Sequence, residues 1–112
     1  SPHLTREGRL SPAAVRGKSV FMDAGCAKCH YGPELTSKKA YDVGTSAGID
    51  SGKQLDTPTL VEVWRTAPYL HDGRSRAMMD VLTRDNQEDN HGSTRRLSGQ
   101  ILRDLAEYVL SQ

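Results

Sequence analysis

Cys26-Ala-Lys-Cys-His30 is the stretch that decides how the other residues are read. Two thiols three positions apart, with an imidazole directly after them, make the C-x-x-C-H pattern of covalent haem attachment. The spacing has a chemical reason: within one turn each thiol reaches a different vinyl group of the same porphyrin edge, while the next residue turns its ring under the iron. The expected cofactor is one covalent haem c, with Cys26 and Cys29 as thioethers and His30 as the proximal ligand.

Zinc is the competing reading, with His30 as a third ligand and His71, His91 or His3 as a fourth. A structural zinc site usually draws on two tight ligand pairs, and this sequence holds no second Cys or His pair. A thioredoxin-like redox site needs a βαβ frame, whereas the flanks here read as helix, turn and polar loop. A structural disulfide across so short a loop would be strained.

At 112 residues, 36% of them hydrophobic and with one Phe and one Trp, the chain makes one domain with a thin core. A buried porphyrin, at ~25 cal/mol per Å², supplies much of what the side chains lack. The formal charge of +1 comes from 15 basic and 14 acidic residues, with no basic stripe, which argues against nucleic acid as a partner. No apolar run approaches the ~20 residues that cross a bilayer, so no membrane span is expected in this segment. Bacteria attach haem to cysteine outside the cytoplasmic membrane, so a periplasmic or otherwise exported protein is expected, with Ser1-Pro2 a processed or excised end.

Working outward, residues 1–9 carry no apolar period and read as a flexible lead-in or linker stump, leaving residues 10–112 as the haem domain. Ser11 suits an N-cap and Pro12 the first helical position, with Leu10 and Val15 as staple partners, in a helix that runs to about Ala24 before Gly25 releases the chain. Residues 31–56 are rich in Gly, Ser, Thr, Lys and Asp and read as a long polar loop wrapping one haem edge, with a short hairpin at residues 41–45. The Pro33 carbonyl is the expected acceptor for the His30 Nδ1 proton, beside the plainer reading of Gly32-Pro33 as a turn. Thr57-Pro58 opens a second helix carrying Leu60, Val61, Val63 and Trp64, which stops at Ala67-Pro68. Trp64 is expected to pack in the core or on the haem edge. A short helix at residues 77–83 and a solvated polar loop at residues 85–90 follow. Ser98 caps the last helix, whose Ile101, Leu102, Leu105, Tyr108 and Val109 form one apolar stripe. Its natural partner is the Gly17 and Phe21 face of the first helix.

These elements, a first helix with Gly-x-x-x-Phe, the haem motif and a last helix with Leu-x-x-Leu-x-x-Tyr, resemble the class I cytochrome c fold. More narrowly, Leu10-Ser-Pro-Ala-Ala-Val-Arg-Gly-Lys18, Cys26 to Pro33, Thr57-Pro-Thr-Leu60 and Ala67-Pro-Tyr-Leu-His-Asp-Gly73 are similar to the C-terminal haem domain of bacterial di-haem cytochrome c peroxidases. The related di-haem enzymes that mature methylamine dehydrogenase share the likeness, which covers about residues 10–111. It implies an all-α fold whose N- and C-terminal helices cross behind the haem, and an electron-handling role. Two departures stand out: the family's peroxidases carry two haem motifs and this chain one, and the family's distal Met falls here on Asp85.

Class I cytochromes draw the distal ligand from the loop before the last helix, so the resemblance points to His91, with Met79, Met78 and His71 as alternatives. His71 matches the family's turn histidine, which braces its loop with Asp72 and Arg74. Tyr69 and Arg74 of the same segment are expected at the haem, Arg74 or Arg76 pairing with a propionate. The expected function is electron transfer by a single haem, as a domain of a larger exported redox protein whose partner is a redox protein or an adjacent domain. The alternative is a peroxidase-like haem with an open or displaceable sixth position.

Overall fold

Ser11 and Pro12 start the first helix as their chemistry requires. Ser11 is extended (φ −65°, ψ 162°), its Oγ accepts from the Ala14 N–H at 3.1 Å, and Pro12 gives up no needed donor, so α1 runs Pro12–Asp23. Ser98 repeats the device at the other end of the chain, its Oγ accepting from the Ile101 N–H at 3.4 Å to open α3, Gly99–Leu110. The architecture comes from a computed structural model that describes residues 1–46 and 52–112; Gly48 of the expected loop lies outside the described residues.

The crossing of α1 and α3 is the frame of the molecule. A Cβ at Gly17 would lie 1.9 Å from the Asp104 carbonyl oxygen and 2.9 Å from the Tyr108 Cβ, so only glycine lets the two backbones approach this closely. One turn on, Phe21 meets Tyr108 edge to face with ring centroids 5.1 Å apart. Leu105, fully buried, and Leu102 and Val109 complete the α3 face. Ile101, expected on that stripe, is instead exposed, and Val15 faces solvent while Leu10 packs on the core without it.

A carboxylate sits inside this crossing. Asp104, 4% exposed, accepts from Arg16 Nε at 2.9 Å and Nη2 at 3.1 Å, and from Gln100 Nε2 at 3.0 Å. The Arg16 bonds hold its carboxyl below the ordinary 3.8. A folded-state pKa below the unfolded value gives stability that is present above 3.8 and lost as pH falls below it. Asp104→Asn is therefore expected to lower the urea midpoint at pH 7, with the gap to the parent narrowing at pH 3. A gap that is the same at both pH values would count against the ion pair.

Between α1 and α3 the chain is mostly irregular. The strands β1 (Ala40–Tyr41) and β2 (Leu55–Asp56) pair antiparallel, Ala40 with Asp56 and Tyr41 with Leu55. This replaces the expected local hairpin at residues 41–45 with a ladder between the middle of the polar loop and its far end. The helix α2, Met78–Leu82, falls within the expected residues 77–83, and Asp80 Oδ2 takes the Ala77 N–H at 3.1 Å. The helix expected from Thr57 is reduced to one 3-10 turn at Val63–Arg65.

The reason lies in what Thr57 and Thr59 bond to. The Thr57 N–H and hydroxyl both donate to the Lys39 carbonyl, at 2.9 and 2.8 Å, and its own carbonyl accepts from Thr36 Oγ1 at 2.6 Å. The Thr59 hydroxyl donates to the Glu34 carbonyl. Groups that would cap a helix are spent lashing the polar loop, and Glu62 at φ 58° breaks the helical path.

The lead-in expected to be flexible is anchored. Leu4 bridges to Leu10, the Thr5 N–H donates to the Arg9 carbonyl at 2.7 Å, Ser1 Oγ donates to the Leu110 carbonyl at 2.7 Å, and His3 Nδ1 lies 3.1 Å from Glu107 on α3. Among the described residues no helix is long and apolar enough to cross a membrane.

Candidate haem site

Gly25, at φ 85°, swings the chain out of α1 into a 3-10 turn at Cys26–Lys28. The Cys29 and His30 N–H groups both donate to the Cys26 carbonyl, at 3.2 and 2.9 Å, so two thiols and an imidazole share one short arc. Both thiols are free and half-buried. Burial pushes the Cys26 thiol up to about 11, the opposite of what a redox dithiol needs. Among the described residues no group of three or more His, Cys, Asp or Glu side chains converges as a metal site, so the zinc alternative finds no ligand set.

His30 is 8% exposed, and its Nδ1 sits 3.1 Å from the Leu35 carbonyl. That acceptor replaces the expected Pro33, which is exposed. Gly32 at φ 74° and Leu35 at φ 51° wind this segment tightly, closed by the Leu35 N–H on Gly32 and the Thr36 N–H on Tyr31, each at 3.1 Å. The winding turns the Leu35 carbonyl toward the ring. Burial lowers the His30 pKa, against the opposing pull of the Leu35 and Pro58 carbonyls. A neutral ring whose Nδ1–H donates to Leu35 has the Nε2 lone pair free to ligate.

The His91 ring lies across from it, with centroids 6.4 Å apart and the planes tilted by 36°. Two imidazoles bonded at about 2.0–2.1 Å to opposite sides of one metal ion would have ring centres roughly 6.3 Å apart. Burial first, and then the charge of His30, lower the His91 pKa to about 4, so both rings are neutral at pH 7.

The His91 loop is built, not loose. Asn86 is 4% exposed, and its two Nδ2 N–H groups are shared among the carbonyls of His91 (3.0 Å) and Gly92 (2.9 Å) and Thr94 Oγ1 (2.8 Å), while its Oδ1 accepts from the His91 N–H at 2.8 Å. Ser93 N–H donates to the Ala24 carbonyl at 2.9 Å, and a Cβ on Gly92 would lie 3.6 Å from Cys26 Sγ. Reading residues 85–90 as solvated missed this, because Asn86 resembles any turn asparagine in sequence.

Met78 is buried in the core, Met79 packs against it, and His71 is exposed. Asp85 accepts from Ser75 Oγ at 2.6 Å and Arg84 Nη2 at 3.0 Å, a bracket between two loops. Arg74 pairs with Asp72, Nη2 to Oδ2 at 2.7 Å, which holds that carboxyl down at about 2, and it also donates to the Thr45 carbonyl. Tyr69 is buried and exchanges backbone bonds with Ser75 at 2.7 and 3.4 Å.

Three buried side-chain polar atoms among the described residues have no hydrogen-bond partner: Thr45 Oγ1, Trp64 Nε1 and His91 Nδ1. Buried polar groups are rarely left so. The Thr45 and Trp64 donors, together with the two neighbouring imidazoles, fit a prosthetic group that brings its own acceptors. Thr45 carried no sequence signal, being one hydroxyl in a loop rich in them.

The fold and the motif thus define a protein built around an attached haem. The Cytochrome c family model matches residues 14–112, and the chain belongs to that family, in which haem c is held covalently and handles electrons. It is 29% identical to hydrazine synthase subunit gamma of Kuenenia stuttgartiensis over 97% of this chain and 43% of that protein. It is 31% identical to the methylamine utilization protein MauG of Methylorubrum extorquens over 70% of this chain and 26% of that protein. The cytochrome-c peroxidase IdrP1 of a Pseudomonas species matches at 23% over 89% of this chain and 40% of its own length. The chain spans less than half the length of these relatives. A solved K. stuttgartiensis hydrazine synthase superposes with a TM-score of 0.88 at 29% identity, over all of this chain and 50% of that one. The expected likeness to cytochrome c peroxidases and methylamine-utilization haem proteins, and the mostly helical fold, are borne out, with the small two-stranded sheet an addition to the all-α expectation.

Proposed function

We propose that this chain is a mono-haem electron-transfer domain whose iron is held between His30 and His91. The 6.4 Å separation of the two rings carries the reading. Cys26 and Cys29 form the thioethers, and Trp64 Nε1 and Thr45 Oγ1 donate to haem carboxylates, which answers why those atoms are buried alone. Tyr69 and Arg74 support the same pocket, Arg74 by holding the Thr45 segment rather than as a free cation.

The haem supplies one-electron chemistry at its iron when bound. The protein fixes both ligands before and after the electron moves: the Leu35 carbonyl keeps the Nδ1 proton of His30, and a hydrogen-bonded loop keeps His91 in place. Two imidazoles favour ferric iron more than a Met/His pair does, so the potential lies below that of Met/His cytochromes. The electrons pass to an adjacent domain or a separate redox protein, in the periplasm or another exported compartment.

The decisive measurement is the ferric spectrum at neutral pH, expected to be low-spin, without the far-red sulfur-to-iron band, and unchanged by peroxide. His91→Ala is expected to turn it high-spin, whereas Met79→Ala leaves it low-spin. Loss of the sixth ligand in the Met79 variant alone would sink the assignment. A relative named cytochrome-c peroxidase gives weight to a second reading, a peroxidase-like domain with a displaceable distal ligand. A parent spectrum that is high-spin and changes rapidly with peroxide would select it.

A further inference from the structure

We propose that Asn86 is the positioning residue of the distal ligand, holding the His91 main chain so that the imidazole stays at the iron; this rests on the His91 ligation proposed above. One buried amide engages four atoms of the loop, its two Nδ2 protons shared among three acceptors, with His91 both giving its N–H to Oδ1 and offering its carbonyl to Nδ2. Thr94 passes the restraint on, its hydroxyl donating to the Leu82 carbonyl at 2.7 Å, so the loop is tied to the end of α2. On the opposite side the Ser93 N–H is tied to Ala24, next to the haem motif. His91 therefore sits on a segment fixed at two independent points.

The chemistry demands an amide. A carboxylate at position 86 has no proton for the His91 and Gly92 carbonyls and would set negative charge against both. An aliphatic residue would strand those carbonyls and the His91 N–H. A second brace, Asp89 Oδ1 accepting from the Thr94 and Arg95 N–H groups at 3.0 and 2.8 Å, survives either change. Loss of Asn86 thus loosens the ligand without dissolving the loop.

The test uses ferric holoprotein and cyanide, which binds iron only where His91 has let go. Asn86→Ala is expected to raise cyanide affinity by roughly tenfold or more, as is Asn86→Asp. In a His91→Ala background, the further change Asn86→Ala should alter cyanide affinity by less than about twofold, because the ligand it seats is gone. Thr94→Val, a milder cut in the same chain of bonds, should raise affinity by roughly threefold. Asn86→Ala or Thr94→Val binding cyanide like the parent would overturn the proposal, as would an Asn86 effect undiminished without His91. If His91→Ala itself stays low-spin, the ligand reading falls and this one with it; if it turns high-spin while the Asn86 variants match the parent, this one falls alone.

Discussion

Gly17→Ala is expected to be the most damaging conservative change on the surface between the terminal helices. The added carbon would stand 1.9 Å from the Asp104 oxygen and 2.5 Å from its carbonyl carbon, both backbone atoms that no rotamer change can move aside. The helices must separate, which strips contact from the Phe21 and Tyr108 rings and pulls Arg16 from Asp104. Overpacking usually costs about 1–3 kcal/mol, and a backbone collision belongs at or above the top of that range. At about 4 °C or more per kcal/mol, the melting temperature should fall by on the order of 12 °C. Gly99→Ala is the control: its new carbon meets only the tip of the flexible Arg103 side chain at 3.3 Å, so little change is expected. Equal melting temperatures for the two variants would refute the close crossing.

The second large effect is loss of the prosthetic group. With Cys26→Ala and Cys29→Ala combined, the haem is no longer fastened, and the remaining core rests on Phe21, Tyr69, Tyr108, Met78 and small to medium aliphatic side chains. The orphaned atoms of Thr45 and Trp64 would then be buried with nothing to bond. Removal of apolar burial on this scale should lower the melting temperature by on the order of 20 °C and blunt the cooperativity of unfolding. Far-ultraviolet dichroism during heating reads this directly. A sharp transition within a few degrees of the parent would mean that the polypeptide carries its own stability.

Local chemistry was what the sequence displayed best. The haem motif, both serine N-caps, Pro12, and the Gly17 and Phe21 face against Leu102, Leu105 and Tyr108 are each signals confined to one or two turns, and each recurs in the fold. Errors arose where a residue's partner is distant in sequence. Thr57 has the form of a helix cap but bonds Lys39, 18 positions earlier. Asp104 looks like a surface charge on α3 until Arg16, 88 positions away, is set beside it. Leu35 supplies the His30 acceptor through its carbonyl, which every residue type has, so no side-chain pattern could have distinguished it from Pro33. The His91 expectation drew on resemblance alone, and the support it now has comes from a ring separation that only folding creates.

The pairing of Ala40 with Asp56 and Tyr41 with Leu55 closes the neck of a bight. The two rungs hold the ends of the enclosed segment together, and within it Thr45 is buried with its carbonyl taken by Arg74. Doubling such an excursion adds only about 0.6 kcal/mol of closure entropy. Added length there is therefore cheap in chain entropy, and what restrains it is Thr45, whose burial ties one point of the segment to the interior.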